Sequence, residues 1–326
     1  MKCSVVVACY NNPDLVLETL DSIKTQTYQN WELVLVEDCS TDHTLEVLRQ
    51  YVAQQNLEDR CKLIALPENH GVSFAKGTGV RHSKGEIIVI CDHDDALAPN
   101  ALEEVVKAHQ AYPKASIVYT QRYNCDSQLH PLEIAACSQV VYSDILEDQI
   151  SHLLTYKRTC YNQTLGYDPF FKLADDRDII YKLEEVGDVI LLEKPLYYFR
   201  VSDRGVSQGY EGFNKSRDEK LIAALNAVER RKSSMVKQIT PKELAKYLAE
   251  HYLLQAEGYI LMNKPLSTSF STSLLKAFYY RPGSNLKRKL KAILLLSRIK
   301  RKLQKLLKTP QSPAYHQSAC EASSNS

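Results

Sequence analysis

No Cys-x-x-Cys pair occurs in the 326 residues, although the chain holds nine cysteines. They stand apart at 3, 9, 39, 61, 91, 125, 137, 160 and 320, and Cys9 and Cys91 lie inside apolar runs, where a thiol behaves as a small hydrophobe. This usage argues against a zinc site and for a reducing compartment. No stretch reaches the roughly 20 apolar residues of a spanning helix. The run in "MKCSVVVACYNN" is too short for a signal peptide and reads as a first strand. The expectation is a cytoplasmic chain, or one peripheral on the cytoplasmic face of a membrane. Glycine is missing from "CYNNPDLV", which follows that strand, and Gly77-x-Gly79 falls inside a helix. The Gly-rich phosphate loop of a sugar nucleotidyltransferase or a dinucleotide-binding dehydrogenase is therefore absent.

Acidic residues are missing from one further place. Between Ser284 and Lys308 there are ten Lys or Arg and no Asp or Glu. The formal charge of +2 conceals this: without those ten, 31 basic residues face 39 acidic ones, a balance of −8. In the same segment Leu286, Leu290, Ile293, Leu296, Ile299, Leu303 and Leu306 recur at steps of three or four. An apolar stripe beside a basic face is the composition of a helix lying on anionic lipid. The rival readings are a helix docked on the rest of the chain by its stripe, and a nucleic-acid contact. The lack of interleaved aromatics disfavours the last.

What is present is a soluble-type composition, 44% apolar and 25% charged, and a regular alternation over the first 120 residues. "CSVVVAC", "WELVLVED", "CKLIAL", "EIIVIC" and "ASIVYT" read as strands buried on both faces. Between them lie helical patterns: "DLVLETLDSIKTQ", "STDHTLEVLRQYVAQQ" with Ser40 or Thr41 as N-cap, a Gly-broken "VSFAKGTGVRHS", and "ALEEVVKAHQAY". This predicts an α/β fold around a mostly parallel sheet, whose ligands gather at the carboxyl ends of the strands. Further on, "LADDRDIIYKLEEVG" reads as a loop and helix, "DVILLE" and "LYYFRV" as two strands, and Asn214 to about Lys232 as one helix. Thr240-Pro241-Lys242-Glu243 is a capping box opening the next. The expected organisation is a first domain over 1–210, a helical extension over 211–309 ending in the basic amphipathic helix, and a disordered tail over 310–326.

Chemistry concentrates at the predicted strand ends. Asp92-His93-Asp94-Asp95 places three like charges in four residues, which invites a hard divalent cation such as Mg²⁺ or Mn²⁺ shared with substrate phosphates. The plain alternative is a solvated helix-capping turn. Glu37-Asp38 ends the second strand and Tyr10 follows the first, suited to a ribose and a nucleobase respectively. Asp175-Asp176 supplies a second carboxylate pair at a helix start. Lys76, Arg81 and Lys84 are candidates for phosphate-side charge.

The spacing of "VVVACYNN", "VLVEDCSTDHT", "ENHGVSFAKGTGVRHSKGEIIVICDHDD", "LADDRDIIYKLEEVG" and "YYFRVSDRGVSQ" resembles the family 2 glycosyltransferases of the GT-A fold, over roughly residues 1 to 208. The resemblance implies an inverting transfer of a sugar from a nucleoside diphosphate, UDP being the family's commonest, to a glycan or lipid-linked hydroxyl acceptor. It implies the base near Tyr10 and Asp38, Asp92 and Asp94 as the DxD motif on ribose and metal–diphosphate, and Asp176 as general base. Ala8 and Lys76 complete the implied donor-binding set; the family often has Pro or Thr at the first and Arg or a similar residue at the second. Glu37, Asp95, Asp175, Arg200 and Asp203 are secondary candidates. The chain departs from the family at Gly77, often Asn, and at Ser202, which stands where many members carry a His; Asp203 or Arg204 then substitutes, or the diphosphate is held differently. The rival class is a non-catalytic relative that binds a nucleotide sugar or glycan without turnover.

Overall fold

The computed structural model describes residues 1–140, 150, 152–201, 210–232, 239–261 and 267–293. The first strands form where expected: β1 (Cys3–Cys9), β2 (Trp31–Glu37), β3 (Cys61–Ala65) and β4 (Ile87–Ile90) pair in parallel in the order β3-β2-β1-β4. Alternate side chains of β1 serve opposite layers, as strand geometry requires. Cys3, Val5, Val7 and Cys9 pack with α1 (Val16–Lys24), α2 (Thr44–Gln54) and α4 (Ala101–Ala111). Val6 and Ala8 pack with α3 (Val72–His82) and α6 (Asp175–Glu184). Both sheet faces are thus covered, which is why these strands read as unbroken apolar runs.

The second half of the sheet is mixed. β8 (Leu154–Lys157) lies antiparallel between β4 and β6 (Ala115–Cys125). β9 (Asp188–Arg200) pairs parallel to β6, β5 (Ala96–Leu97) is antiparallel to β9, and β7 (Pro131–Ala135) hangs from β6. A short helix, α5 (Arg158–Tyr161), follows β8. Two expected strands over 188–201 prove to be one. The register slips where Gln121 faces Pro195, so the proline sits at an irregularity rather than ending the strand.

Two other local expectations are corrected. Glycine does not break α3, which is continuous; a Cβ on Gly79 would lie 2.4 Å from Val6 Cγ1, so the residue serves close helix–sheet approach. Neither Ser40 nor Thr41 caps α2. Ser40 Oγ accepts from the Asn11 amide (3.0 Å) and the Thr41 amide donates to Asn11 Oδ1 (2.8 Å), locking two strand-end turns together. The helix begins later, at Thr44, whose amide donates to Asp42 Oδ1.

Helices follow: α7 (Tyr210–Arg231), α8 (Pro241–Leu261), α9 (Thr268–Tyr280) and a helical stretch over 286–293. The capping box holds: the Thr240 amide donates to Glu243 Oε2 (2.8 Å) and the Glu243 amide to Thr240 Oγ1 (3.2 Å). In the basic segment the charges divide. Arg288 pairs with Glu250 and Glu257 of α8, and Lys289 is buried, donating to the carbonyls of Ala277 and Arg281 that end α9. These two basic side chains are structural rather than part of a free face. Lys287 and Lys291 are exposed, and so are Leu286, Leu290 and Ile293; the apolar stripe is not docked here. The remainder of the basic segment, and the expected tail, lie outside the described residues. Among the described residues no helix is long and apolar enough to cross a membrane.

Candidate active site

The carboxyl ends of β1, β2 and β4 align by register, and the candidate residues sit in the turns just beyond. Tyr10 is 40% exposed, leaving its ring free to stack on a base. Ala8 is nearly buried, and its carbonyl accepts from His93 Nδ1 (2.9 Å), which fastens the β4 turn to β1. Glu37 is buried and accepts from the Ser40 amide (2.6 Å). Asp38 is buried too: its two oxygens accept from the His70 and Gly71 amides at 2.9 and 2.7 Å. Gly71 has φ +88°, so the turn that Asp38 holds needs glycine.

The acids after β4 take different roles. Asp92 Oδ1 lies 3.0 Å from Lys76 Nζ, and Oδ2 lies 3.3 Å from His152 Nε2. Its amide donates to the Tyr197 hydroxyl (3.1 Å), on whose ring His152 stacks at 5.2 Å. Burial would raise the Asp92 pKa, but the charge of Lys76 outweighs it and keeps the carboxylate ionised; His152, whose own pKa burial lowers, adds to this only when protonated. Asp94 is pushed upward by burial and by Asp92; among the described residues it has no basic ion-pair partner. Asp95 is buried and accepts from the Arg200 amide (2.8 Å), with its acidity suppressed by burial and then by Asp94 and Asp92.

Lys76 answers the crowding of carboxylates. It projects from the middle of α3, almost fully buried, and its Nζ also lies 3.1 Å from Asp175 Oδ2. Asp92 and Asp175 are 83 residues apart in sequence and share one ammonium. Burial opposes the Lys76 charge, yet the two acids more than restore it and raise its pKa. With three acids near one cation, Asp175 is pushed up to about 6 by burial, against the pull of Lys76 and with the help of Asp176 and Asp92. Asp176 is more exposed than Asp175, and its Oδ1 accepts from the Arg177 amide (2.8 Å).

Arg200 does not offer a free guanidinium. It is buried, contacts the Asp94 carbonyl (2.7 Å), the Ser127 carbonyl and Glu18 (2.7 Å), and so props the acidic turn from behind. Lys84 lies in the turn before β4, at the opposite end of that strand from Asp92, and Arg81 is exposed on the last turn of α3 with its guanidinium bonded to Thr78. Of the three cations considered for the phosphates, the structure brings only Lys76 to the acids. Asp203, with Ser202 and Arg204, lies outside the described residues. Sequence reasoning missed His152 and Tyr197. His152 stands in no quoted motif, and Tyr197 opens "YYFRVSDRGVSQ" without itself being singled out; their meeting with Asp92 depends on strands distant in the chain.

A divalent cation fits this arrangement in one way. Among the described residues no group of three or more His, Cys, Asp or Glu could form a protein-only cage. Asp92 already faces Lys76 and His152, so Asp94 is the carboxylate left to hold a hard cation together with substrate phosphates.

Comparison with known proteins agrees with this layout. Residues 4–164 match the family model described as Glycosyl transferase family 2. An uncharacterised protein, y4gI, of Sinorhizobium fredii is 33% identical over 211 residues, 61% of this chain and 22% of that protein. Glycosyltransferase GlyG of Streptococcus pneumoniae is 36% identical over 123 residues, 38% of this chain and 40% of that one. The chain thus spans less than half the length of these curated relatives. Among solved structures, a mannosyltransferase from Pyrobaculum calidifontis in complex with GDP-Man and Mn²⁺ superposes with TM-score 0.56 at 22% identity, covering 94% of this chain and 82% of that one. S. aureus TarS 1–349 in complex with UDP-GlcNAc gives 0.56 at 18% identity, covering 86% and 89%. These two likenesses establish a shared fold, and the sequence over residues 4–164 matches glycosyl transferase family 2.

Proposed function

We propose that this chain transfers a sugar, with inversion, from a nucleoside diphosphate to a hydroxyl of a glycan or lipid-linked acceptor in surface-polysaccharide or glycolipid synthesis. The observation that carries the reading is the Lys76 bridge, because it joins the acid expected on the donor side to the acid pair expected on the acceptor side. Tyr10 stacks on the base, and the turn held by Asp38 lines its pocket. Asp92, fixed by Lys76 and His152, meets the ribose. Asp94 would hold Mg²⁺ or Mn²⁺ against the diphosphate, and the cation, when bound, offsets charge on the leaving group. Asp176 accepts the proton of the acceptor hydroxyl as its oxygen attacks the face opposite the leaving group. Asp175 stays on Lys76 and keeps its neighbour's helix turn in place. The transferase unit is assigned to residues 1–210, with 211–309 as its helical extension.

A thermal-shift panel of nucleotide sugars including UDP-GlcNAc and GDP-mannose, with and without Mn²⁺, names the donor; affinity indifferent to chelator would remove the metal. Asp176→Asn then separates catalyst from binding module. The expected result is at least a hundredfold loss of nucleotide release, on the order of general-base contributions, with donor affinity retained. A wild-type protein that binds donor but releases no nucleotide, either to water or to supplied glycan acceptors, would instead be a non-catalytic relative.

The exposed Leu286, Leu290 and Ile293 beside Lys287 and Lys291 support contact with an anionic membrane surface. Co-sedimentation with phosphatidylserine vesicles is expected to fall away on deleting 286–308 and in high salt. Undiminished binding by the deletion would count against a lipid role for this segment.

A further inference from the structure

The helix α6 begins without a cap of its own. Its N-cap residue is Ala174, which has no side-chain acceptor, and the three amides leading into the helix take their partner from elsewhere. That partner comes from α7. Glu219 Oε2 accepts from three successive amides, Lys172 (2.8 Å), Leu173 (2.7 Å) and Ala174 (3.1 Å). One carboxylate oxygen in a row of converging amides is an anion nest filled from within the chain. Ser216, nearly a turn earlier on α7, donates to the Leu173 carbonyl (3.4 Å). The segment is therefore held through both its donors and an acceptor.

The contact is seated firmly. Ala223, Ala224 and Ala227 of α7 are fully buried against Phe171, Ala174 and Tyr181, and Ala223 and Ala227 continue the helix face that starts at Glu219. At the far end Arg230 pairs with Glu185, and Arg231 with Glu184 and Glu185. So α7 runs alongside α6 and grips it at both ends. The next two residues after the clamped amides are Asp175 and Asp176. In addition, Lys172 Nζ donates to the His70 carbonyl in the turn that Asp38 holds, linking the clamped segment to the donor side.

We propose that Glu219 is a positioning residue for transfer: the helical extension, through this one carboxylate, sets where the acid pair of α6 stands relative to the donor. The role rests on the reading of Asp176 given above. Glu219 touches no reacting atom. Its loss lets the amides of 172–174 turn to water and the start of α6 shift, and small misplacements of a proton acceptor are costly in rate.

The test uses the full chain with Glu219→Ala and Glu219→Gln, since Gln keeps a neutral acceptor oxygen. Three readouts are taken: amide hydrogen exchange of peptides covering 172–176, nucleotide release from the donor found in the panel, and calorimetric affinity for the corresponding nucleoside diphosphate. For Glu219→Ala, exchange at 172–174 should rise, and release should slow roughly tenfold or more, the loss expected when charge-assisted hydrogen bonds vanish. Nucleotide affinity should stay within about twofold of wild type. Glu219→Gln should recover most of both losses. Wild-type exchange and release in Glu219→Ala would overturn the proposal, and so would nucleotide affinity falling in step with release, which marks general damage. Should wild-type protein bind donor yet release nothing, the transferase reading fails and takes this role with it. That failure is recognisable because the exchange difference at 172–174 would persist.

Discussion

At the scale of single residues, buried polar groups divide into those whose partners come from far along the chain and those left short of one. Lys76 belongs to the first kind. A primary ammonium almost fully buried is tolerated only because Asp92 and Asp175 surround it. The sequence pointed to Lys76 as a phosphate contact; that it bridges two acids could not be read, because nothing local couples residue 76 to residue 175. His109 belongs to the second kind. Thr155 uses its single hydroxyl proton on the Val118 carbonyl (2.8 Å), so His109 Nε2, 3.0 Å from Thr155 Oγ1, must be the donor there. Among the described residues Nδ1 then has no hydrogen-bond partner, and burial, aided by Lys157, lowers the histidine pKa from 6.5 to about 3. The unfolded chain thus binds the extra proton between about pH 6.5 and 3. Stability is full above that window and falls as the pH drops through it. Urea midpoints should decline across that range in wild type, and less steeply in His109→Gln, which keeps a donor to Thr155 without titrating. Parallel declines would show that other groups govern acid lability.

Elements show where local pattern is enough and where it misleads. The strands β1, β2 and β4 were legible because both faces are buried, leaving runs such as "VVVAC" and "IIVI". The box at Thr240 was legible because both of its hydrogen bonds lie within four residues. By contrast β8 reads "LTYK", too short and polar to stand out, although all four residues are buried. The glycines of α3 read as breaks, whereas packing uses them. A methyl on Gly79 would meet Val6 Cγ1 at 2.4 Å, in the centre of the sheet where β1 cannot yield. Gly79→Ala should therefore cost about 1–3 kcal/mol despite its better helix propensity. Gly283→Ala, with nothing within 4 Å, should change stability by less than about 0.5 kcal/mol. Chemical denaturation of both variants checks this, and equal effects would show that helix–sheet contact is not what Gly79 serves.

On the scale of the whole molecule, the candidate site was legible as separate clusters but not as an assembly. Each acidic motif could be found at a strand end or a helix start, and register plus topology decide which meet. Asp92 and Asp175 do, by way of Lys76. Arg200 turns inward instead, and Lys84 falls at the wrong end of β4. The order β4-β8-β6 has a further consequence for synthesis. One flank of β4 is covered only by residues 154–157, so a nascent chain that stops short of them displays an apolar strand with its hydrogen-bonding groups open. The family match ends at residue 164, just beyond the segment that seals this seam. A polypeptide ending at 140 should therefore pellet on expression, whereas one ending at 232 should stay in the supernatant; a well-behaved shorter product would mean that the parallel half closes by itself.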